Sequence, residues 1–121
     1  MSTSDQTIES EIQAKGLTAP RITPDDVEAA IIFEHYFTAA DALSRRLIMN
    51  QYVIDALPHI TICTMILNNG HKIVGVNTGS VSTANLDAEL ARKLARKNAT
   101  DQIWPLLGFA LRERLAQAGA A

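Results

Sequence analysis

A chain of 121 residues with 47% hydrophobic content holds one domain around one core and leaves no room for a second. Its formal net charge of −2 speaks against generic binding of duplex nucleic acid, which rests on many Lys and Arg contacts to phosphates. The single cysteine, Cys63, excludes an internal disulfide, and no Cys/His cluster suits a zinc site, so neither a metal nor a cofactor is expected.

The expected fold is α+β, with N-terminal helices, a two-stranded antiparallel hairpin and a long Pro-kinked C-terminal helix. Residues 1–22 are polar, punctuated by Gly16 and Pro20 and weakly patterned at Ile8 and Ile12. They read as a flexible arm with at most a marginal helical turn, ahead of a single domain over 23–117. The start, Met-Ser-Thr-Ser-Asp-Gln, has neither a basic opening nor an apolar h-region, and no later run approaches the roughly 20 apolar residues of a membrane span. A cytoplasmic protein without a membrane partner is expected.

Thr23-Pro24-Asp25-Asp26 is a helix start: Thr can cap, Pro suits the first helical position, and the acids meet the positive end of the helix dipole. Val27, Ile31, Ile32 and Tyr36 recur at helical spacing, which predicts a helix to about Phe37. A second start, Thr38-Ala39-Ala40-Asp41, leads through Leu43, Leu47 and Ile48 over 39–50, and the sequence leaves open whether the two helices are continuous. Pro58 ends the helical region, and His59 to Leu67 is dense in β-branched residues and reads as a strand. Asn69-Gly70 predicts a type I′ turn, with His71 to Val76 as the return strand. Two strands alone are marginal in water, so the hairpin must lie on the helices or pair with another chain.

Asn77 to Thr83 is a loop of small polar residues, and Ser82 is the expected N-cap of the last helix with Asn85 three residues on. Leu86, Leu90 and Leu94 form one stripe of that helix, while Ala91, Ala95, Ala99 and Ile103 form a second. Small residues let another helix approach closely, and with aromatic content of only 5% this stripe predicts a homo-oligomer. Pro105 predicts a kink, beyond which Leu107, Leu111 and Leu115 continue an apolar face. Trp104 and Phe109 read as core or interface anchors.

His35, His59 and His71 are not spaced as metal ligands, and no nucleophile elbow, phosphate loop or dinucleotide fingerprint occurs, so no enzyme is expected. Arg92, Lys93, Arg96 and Lys97 set like charges at i, i+4. One reading is a solvated face with Glu89–Lys93 and Lys97–Asp101 pairs. The other is an anion site, because the loop Asn77 to Ser82 offers N–H groups and hydroxyls beside a helix start.

Glu34 to Asp41, Asn69-Gly70, Val74 to Asn77, Ser82 to Asp87, Arg92 to Arg96 and Ile103 to Phe109 together resemble a bacteriophage and prophage family. It is named after gene forty-nine of phage N-four and gene sixty-six of phage Sf-six, and the likeness runs from about Ile22 to Arg114. That family looks related to the phage anti-defence proteins of the first Thoeris type, which bind cyclic ADP-ribose isomers and sequester the immune signal without destroying it. The resemblance implies an oligomeric nucleotide-binding protein of the host cytoplasm. Phosphates would sit near Ser82, Asn85 and Arg92 or Arg96, with His71 and Asn77 against base or ribose. The alternative is a structural or protein-interaction phage protein with no small ligand. The chain departs from the family pattern in carrying His71 after Asn-Gly in place of an aromatic residue, Thr83 for Pro, Ala91 for Gly and Phe109 for Tyr.

Overall fold

Thr23 and Thr38 punctuate the first half of the chain, each opening a helix in the same way. In the computed structural model, which describes residues 3–17, 19–43, 50–79 and 87–119, the hydroxyl of Thr23 accepts from the Asp26 N–H at 3.2 Å. The Thr23 N–H donates back to the Asp26 carboxylate at 2.8 Å, closing a capping box. Helix α1 spans Thr3–Ala14, α2 Pro24–Ala30 and α3 Ala39–Ala42, with strand β1, Ile31–Thr38, between α2 and α3. Helix α4 (Gln51–Ala56) and a 3₁₀ turn (Leu57–His59) lead to β2 (Thr61–Leu67), β3 (Lys72–Asn77) and α5 (Ala88–Gln117). Thr23→Ala should lower unfolding free energy by about 1 kcal/mol in a denaturant titration, because it orphans the first-turn N–H it now satisfies.

The sheet has three antiparallel strands in the order β1-β2-β3, not the two expected. The helix predicted to reach Phe37 ends at Ala30, and the next eight residues form a strand that pairs with β2 at every position but Ile32, Tyr36 opposite Cys63 and Phe37 opposite Ile62. The physical reason lies in Ile31–Thr38 itself. Its β-branched and aromatic residues also alternate, with Phe33, His35 and Phe37 against Glu34, Tyr36 and Thr38, and a strand satisfies that alternation while covering the edge of β2. Helices over 24–37 and 39–50 are therefore not continuous. Of the second, only α3 is present, α4 beginning at Gln51 just beyond it, and 44–49 lies outside the described residues.

His59 belongs to the 3₁₀ turn and not to the strand. The Asn69-Gly70 turn is not type I′, since only Gly70 has positive φ, at 86°. Instead the Gly70 N–H donates to the Leu67 carbonyl at 2.9 Å and the Leu67 N–H to His71 at 2.9 Å, a type I turn closed by a left-handed glycine. The polar segment ahead of α2 carries more helix than one marginal turn. Helix α1 is tied to it where the Arg21 guanidinium donates to both Glu9 oxygens at 2.6 and 2.9 Å, holding the Glu9 carboxyl down at about 2.

Helix α5 lies across the sheet and supplies Ala95, Ala99 and Ile103 to a core with Val27, Ala30, Cys63, Met65, Leu67 and Ile73. The small-residue stripe expected to meet another protein thus meets the chain's own β3, and the oligomer argument built on it falls. Leu90 and Leu94 are exposed. The helix runs unbroken through Pro105 to Gln117, and its N-cap is Asp87, whose carboxylate accepts from the Leu90 N–H at 3.1 Å. The expected cap Ser82, with Asn85, lies outside the described residues. No helix among the described residues is long and apolar enough to cross a membrane.

Among the described residues no helix lies on the other face of the sheet. Pairing aligns Phe37, Ile62 and Val76 in one row, His35, Thr64 and Val74 in the next, and Phe33, Ile66 and Lys72 in the third. His35 stacks between the two phenylalanines, with ring centroids 6.4 and 6.2 Å away.

Candidate functional site

The first turns of α5 carry the two arginines expected to hold an anion, and the structure gives them different environments. Arg96 points back toward α2 and β1. Its guanidinium donates to Glu28 at 2.7 and 3.0 Å and to Glu34 at 3.1 and 3.2 Å, with only 20% of the side chain exposed. Both carboxyls are held below their usual range by the hydrogen bonds from Arg96, and the guanidinium is held more firmly protonated in return. Glu34 also accepts from the Tyr36 hydroxyl at 2.5 Å. Burial first, and that acceptor second, push the Tyr36 phenol up, and burial raises the Cys63 thiol beside it. Arg96 is thus the centre of a network joining α2, β1 and α5.

Arg92, one turn earlier, is exposed and makes no ion pair among the described residues. It lines a cleft of about 190 Å³ with Tyr36, Phe37, Thr38, Asp41, Pro58, Thr61 and Ala88. Ala88 is the first residue of the 30-residue helix, so the positive end of the α5 dipole opens on the same space. Asp41 is the one acid on the wall among the described residues, and its carboxylate is committed to the Thr38 N–H at 2.9 Å. The cleft therefore offers a cation with no ion pair among the described residues, the Tyr36 side chain and Thr61, with Thr38 capping α3 and Phe37 adding to the wall while its ring stacks on His35. The Arg96 network sets its back wall through Tyr36.

The other expected site residues divide by position. Asn77 ends β3 opposite Thr61, so it lies at the Arg92 end of the sheet, its side-chain amide against Gly79. His71 sits in the turn at the opposite end of β3, about 20 Å away at ~3.3 Å per strand residue, in an open hollow with Asn69, Gly70 and Lys72. One chain does not bring His71 to Arg92. Sequence reasoning missed Tyr36, Phe37, Thr38 and Thr61 as lining residues. The signal was present in the Thr38-Asp41 box, but with 31–37 read as helix Tyr36 was assigned to a helix face. His59, between cleft residues Pro58 and Thr61, is buried with Nδ1 lacking a hydrogen-bond partner. No group of three or more His, Cys, Asp or Glu among the described residues forms a metal site.

The model of the Phage protein (N4 Gp49/phage Sf6 gene 66) family matches residues 22–115. The chain belongs to this family. The match begins at Ile22, just ahead of the Thr23 cap, and takes in all three strands and nearly all of α5, so the cleft around Arg92 lies wholly within the family region. Helix α1 lies before it. No curated protein and no solved structure matches the chain.

Proposed function

We propose that this phage-family protein binds and sequesters a cyclic nucleotide immune signal of the cyclic ADP-ribose type in the host cytoplasm, without cleaving it. The observation that carries the reading is Arg92: an exposed, uncommitted guanidinium over the N-terminal end of a long helix, in a cleft that also presents Tyr36 and Phe37. Such a site can pair with phosphate oxygens and contact a base. At about 190 Å³ the cleft is smaller than the roughly 300–1,000 Å³ of sites that enclose a small ligand, so one chain supplies part of the envelope and a second copy supplies the rest. A second copy is also the route by which His71 reaches a ligand held at Arg92. In this reading Arg96 positions Tyr36 and is not itself a phosphate ligand.

A thermal-shift panel of cyclic and linear nucleotides tests the reading, since a ligand that binds only the folded state raises the melting temperature. For a compound that does so, Arg92→Ala should weaken binding by about 1.5–3 kcal/mol, tenfold or more in Kd, while stability changes by no more than about 0.5 kcal/mol. The bound compound should be recovered intact after denaturation. A panel with no shift favours the second reading, a protein-interaction module, which the uncovered apolar face of the sheet supports.

A further inference from the structure

We infer that Asp41 makes the Arg92 cleft selective for phosphates that carry a ribose diol: Arg92 pairs with the phosphate while the second oxygen of Asp41 accepts from the ribose hydroxyls. Asp41 thereby becomes the specificity-determining residue of the site, an assignment that rests on the nucleotide reading above and adds to it the feature that separates a ribonucleotide from other phosphates.

The cap uses only part of the Asp41 carboxylate. Its Oδ2 accepts from the Thr38 N–H at 2.9 Å, and the Asp41 backbone N–H donates to the Thr38 hydroxyl at 3.2 Å, which closes the box that opens α3. Oδ1 accepts no hydrogen bond among the described residues, although Asp41 is exposed and lines the cleft. A carboxylate has roughly four acceptor positions, so most of its capacity remains for a donor arriving from the cleft.

Nor does the cap require the charge, since a neutral amide serves a capping box as well as an acid does. An acid on the wall of an anion site repels every simple phosphate and so lowers affinity for it. Arg92 and Asp41 line one cleft, yet Arg92 forms no ion pair among the described residues, so the two groups do not neutralise each other. A ligand between them has to present an anion to one wall and hydrogen-bond donors to the other. A ribose phosphate has that polarity, with the phosphate on one carbon and two adjacent hydroxyls across the ring.

Dinucleotide sites on an unrelated fold divide the work in the same way: the pyrophosphate lies at a helix N-terminus and an acid takes a ribose hydroxyl. Here the helix start is Ala88, on the cleft wall, and Arg92 stands one turn into α5. Inorganic phosphate or a nucleotide without the diol meets the repulsion of Asp41 without the hydrogen bonds that offset it, which is discrimination by an unfavourable contact.

Calorimetric titration of the full chain with adenosine 5′-monophosphate and with its 2′,3′-dideoxy analogue tests this. The two probes share phosphate and base and differ only in the diol. The unmodified protein should bind the dideoxy compound at least about tenfold more weakly, the expected loss of hydrogen bonds to a charged acceptor. Asp41→Asn, whose amide oxygen can keep the Thr38 cap, should weaken the monophosphate and tighten the dideoxy analogue, bringing the two within about threefold. A purely structural role would weaken both probes together, and thermal unfolding checks that the variant is folded. Arg92→Ala should weaken both by one factor and leave their ratio unchanged, so it reports on the nucleotide reading while Asp41→Asn reports on the diol. Equal affinities for the two probes in the unmodified protein overturn the inference and leave the nucleotide reading standing, as does a ratio that survives Asp41→Asn. Failure of both probes to bind at millimolar concentration removes the nucleotide reading of the cleft, and the inference with it.

Discussion

Gly75→Val should not fold to a cooperative native state, and Gly75→Ala should lose at least about 3 kcal/mol of unfolding free energy. A Cβ at position 75 would stand 2.3 Å from the Ala95 carbonyl oxygen, 2.5 Å from the Ala99 nitrogen and 2.6 Å from the Ala99 methyl. Two of these atoms are helix backbone, so relief requires α5 to move away from β3. Lifting it opens the contacts of Ala95, Ala99 and Ile103, all fully buried. For a domain whose whole stability is about 5–15 kcal/mol, the larger side chain removes most of the margin. Gly108 is the control: nothing lies within 4 Å of a Cβ there, and it sits inside α5. Gly108→Ala should stabilise by about 0.5–1 kcal/mol, because alanine is the better helix former. A Gly75→Ala protein with an unchanged urea midpoint would show that the helix stands farther from the sheet.

That contact also explains which parts of the fold were legible. The Thr23 and Thr38 caps, the hairpin of β2 and β3, and the long last helix are specified by residues within a few positions of one another, and each is present. The strand Ile31–Thr38 was not legible, because its partner β2 begins some two dozen residues later and its first residues continue the helical spacing set by Val27. Helix α2 passes into β1 with no loop between them, Ile31 being both cap and strand residue, so no Gly or Pro marks the change. The turn type was misread for a related reason. Asn69 keeps negative φ, and Gly70 alone takes the left-handed conformation that Asn-Gly offered twice.

The candidate site was half legible. Of the charges on α5, the local pairs are as expected, Glu89–Lys93 at 3.5 Å and Lys97–Asp101 at 3.0 Å. A reading confined to i, i+4 left both Arg92 and Arg96 over for a ligand. The partners of Arg96 lie 68 and 62 positions away on α2 and β1, and no spacing rule reaches them. Of the four cations Arg92, Lys93, Arg96 and Lys97, Arg92 alone makes no ion pair among the described residues. The small-residue stripe was identified by its spacing, but which surface it meets depends on Gly75, a residue that sequence alone gives no reason to pair with it.

Arg96→Ala should therefore behave as a stability variant and not as a surface one. Removing the guanidinium takes away the cation that joins the Glu28 and Glu34 carboxylates across the α2–β1 corner. Losing one partner of a fully buried pair costs about 3–5 kcal/mol, but these side chains are 37% and 32% exposed, so solvent reduces the expected loss to about 2 kcal/mol. At this chain length that lowers Tm by about 5–10 °C. The pH dependence separates this account from a mere packing loss. Both carboxyls titrate lower in the folded than in the unfolded protein, so the stability they confer is complete above the ordinary Glu value of 4.5 and is lost as pH falls through their folded values. In the variant the largest cause of that depression, the hydrogen bonds from Arg96, is gone, and repulsion between the acids eases as they protonate. Its stability deficit should accordingly shrink on the acid side of pH 4.5, and stability curves of the two proteins measured from pH 7 to pH 3 should converge. The Glu9–Arg21 pair is untouched by the substitution and contributes equally to both curves. Curves that remain parallel over that range would mean that Arg96 supports the fold through the packing of its stem alone, with no measurable contribution from its charge.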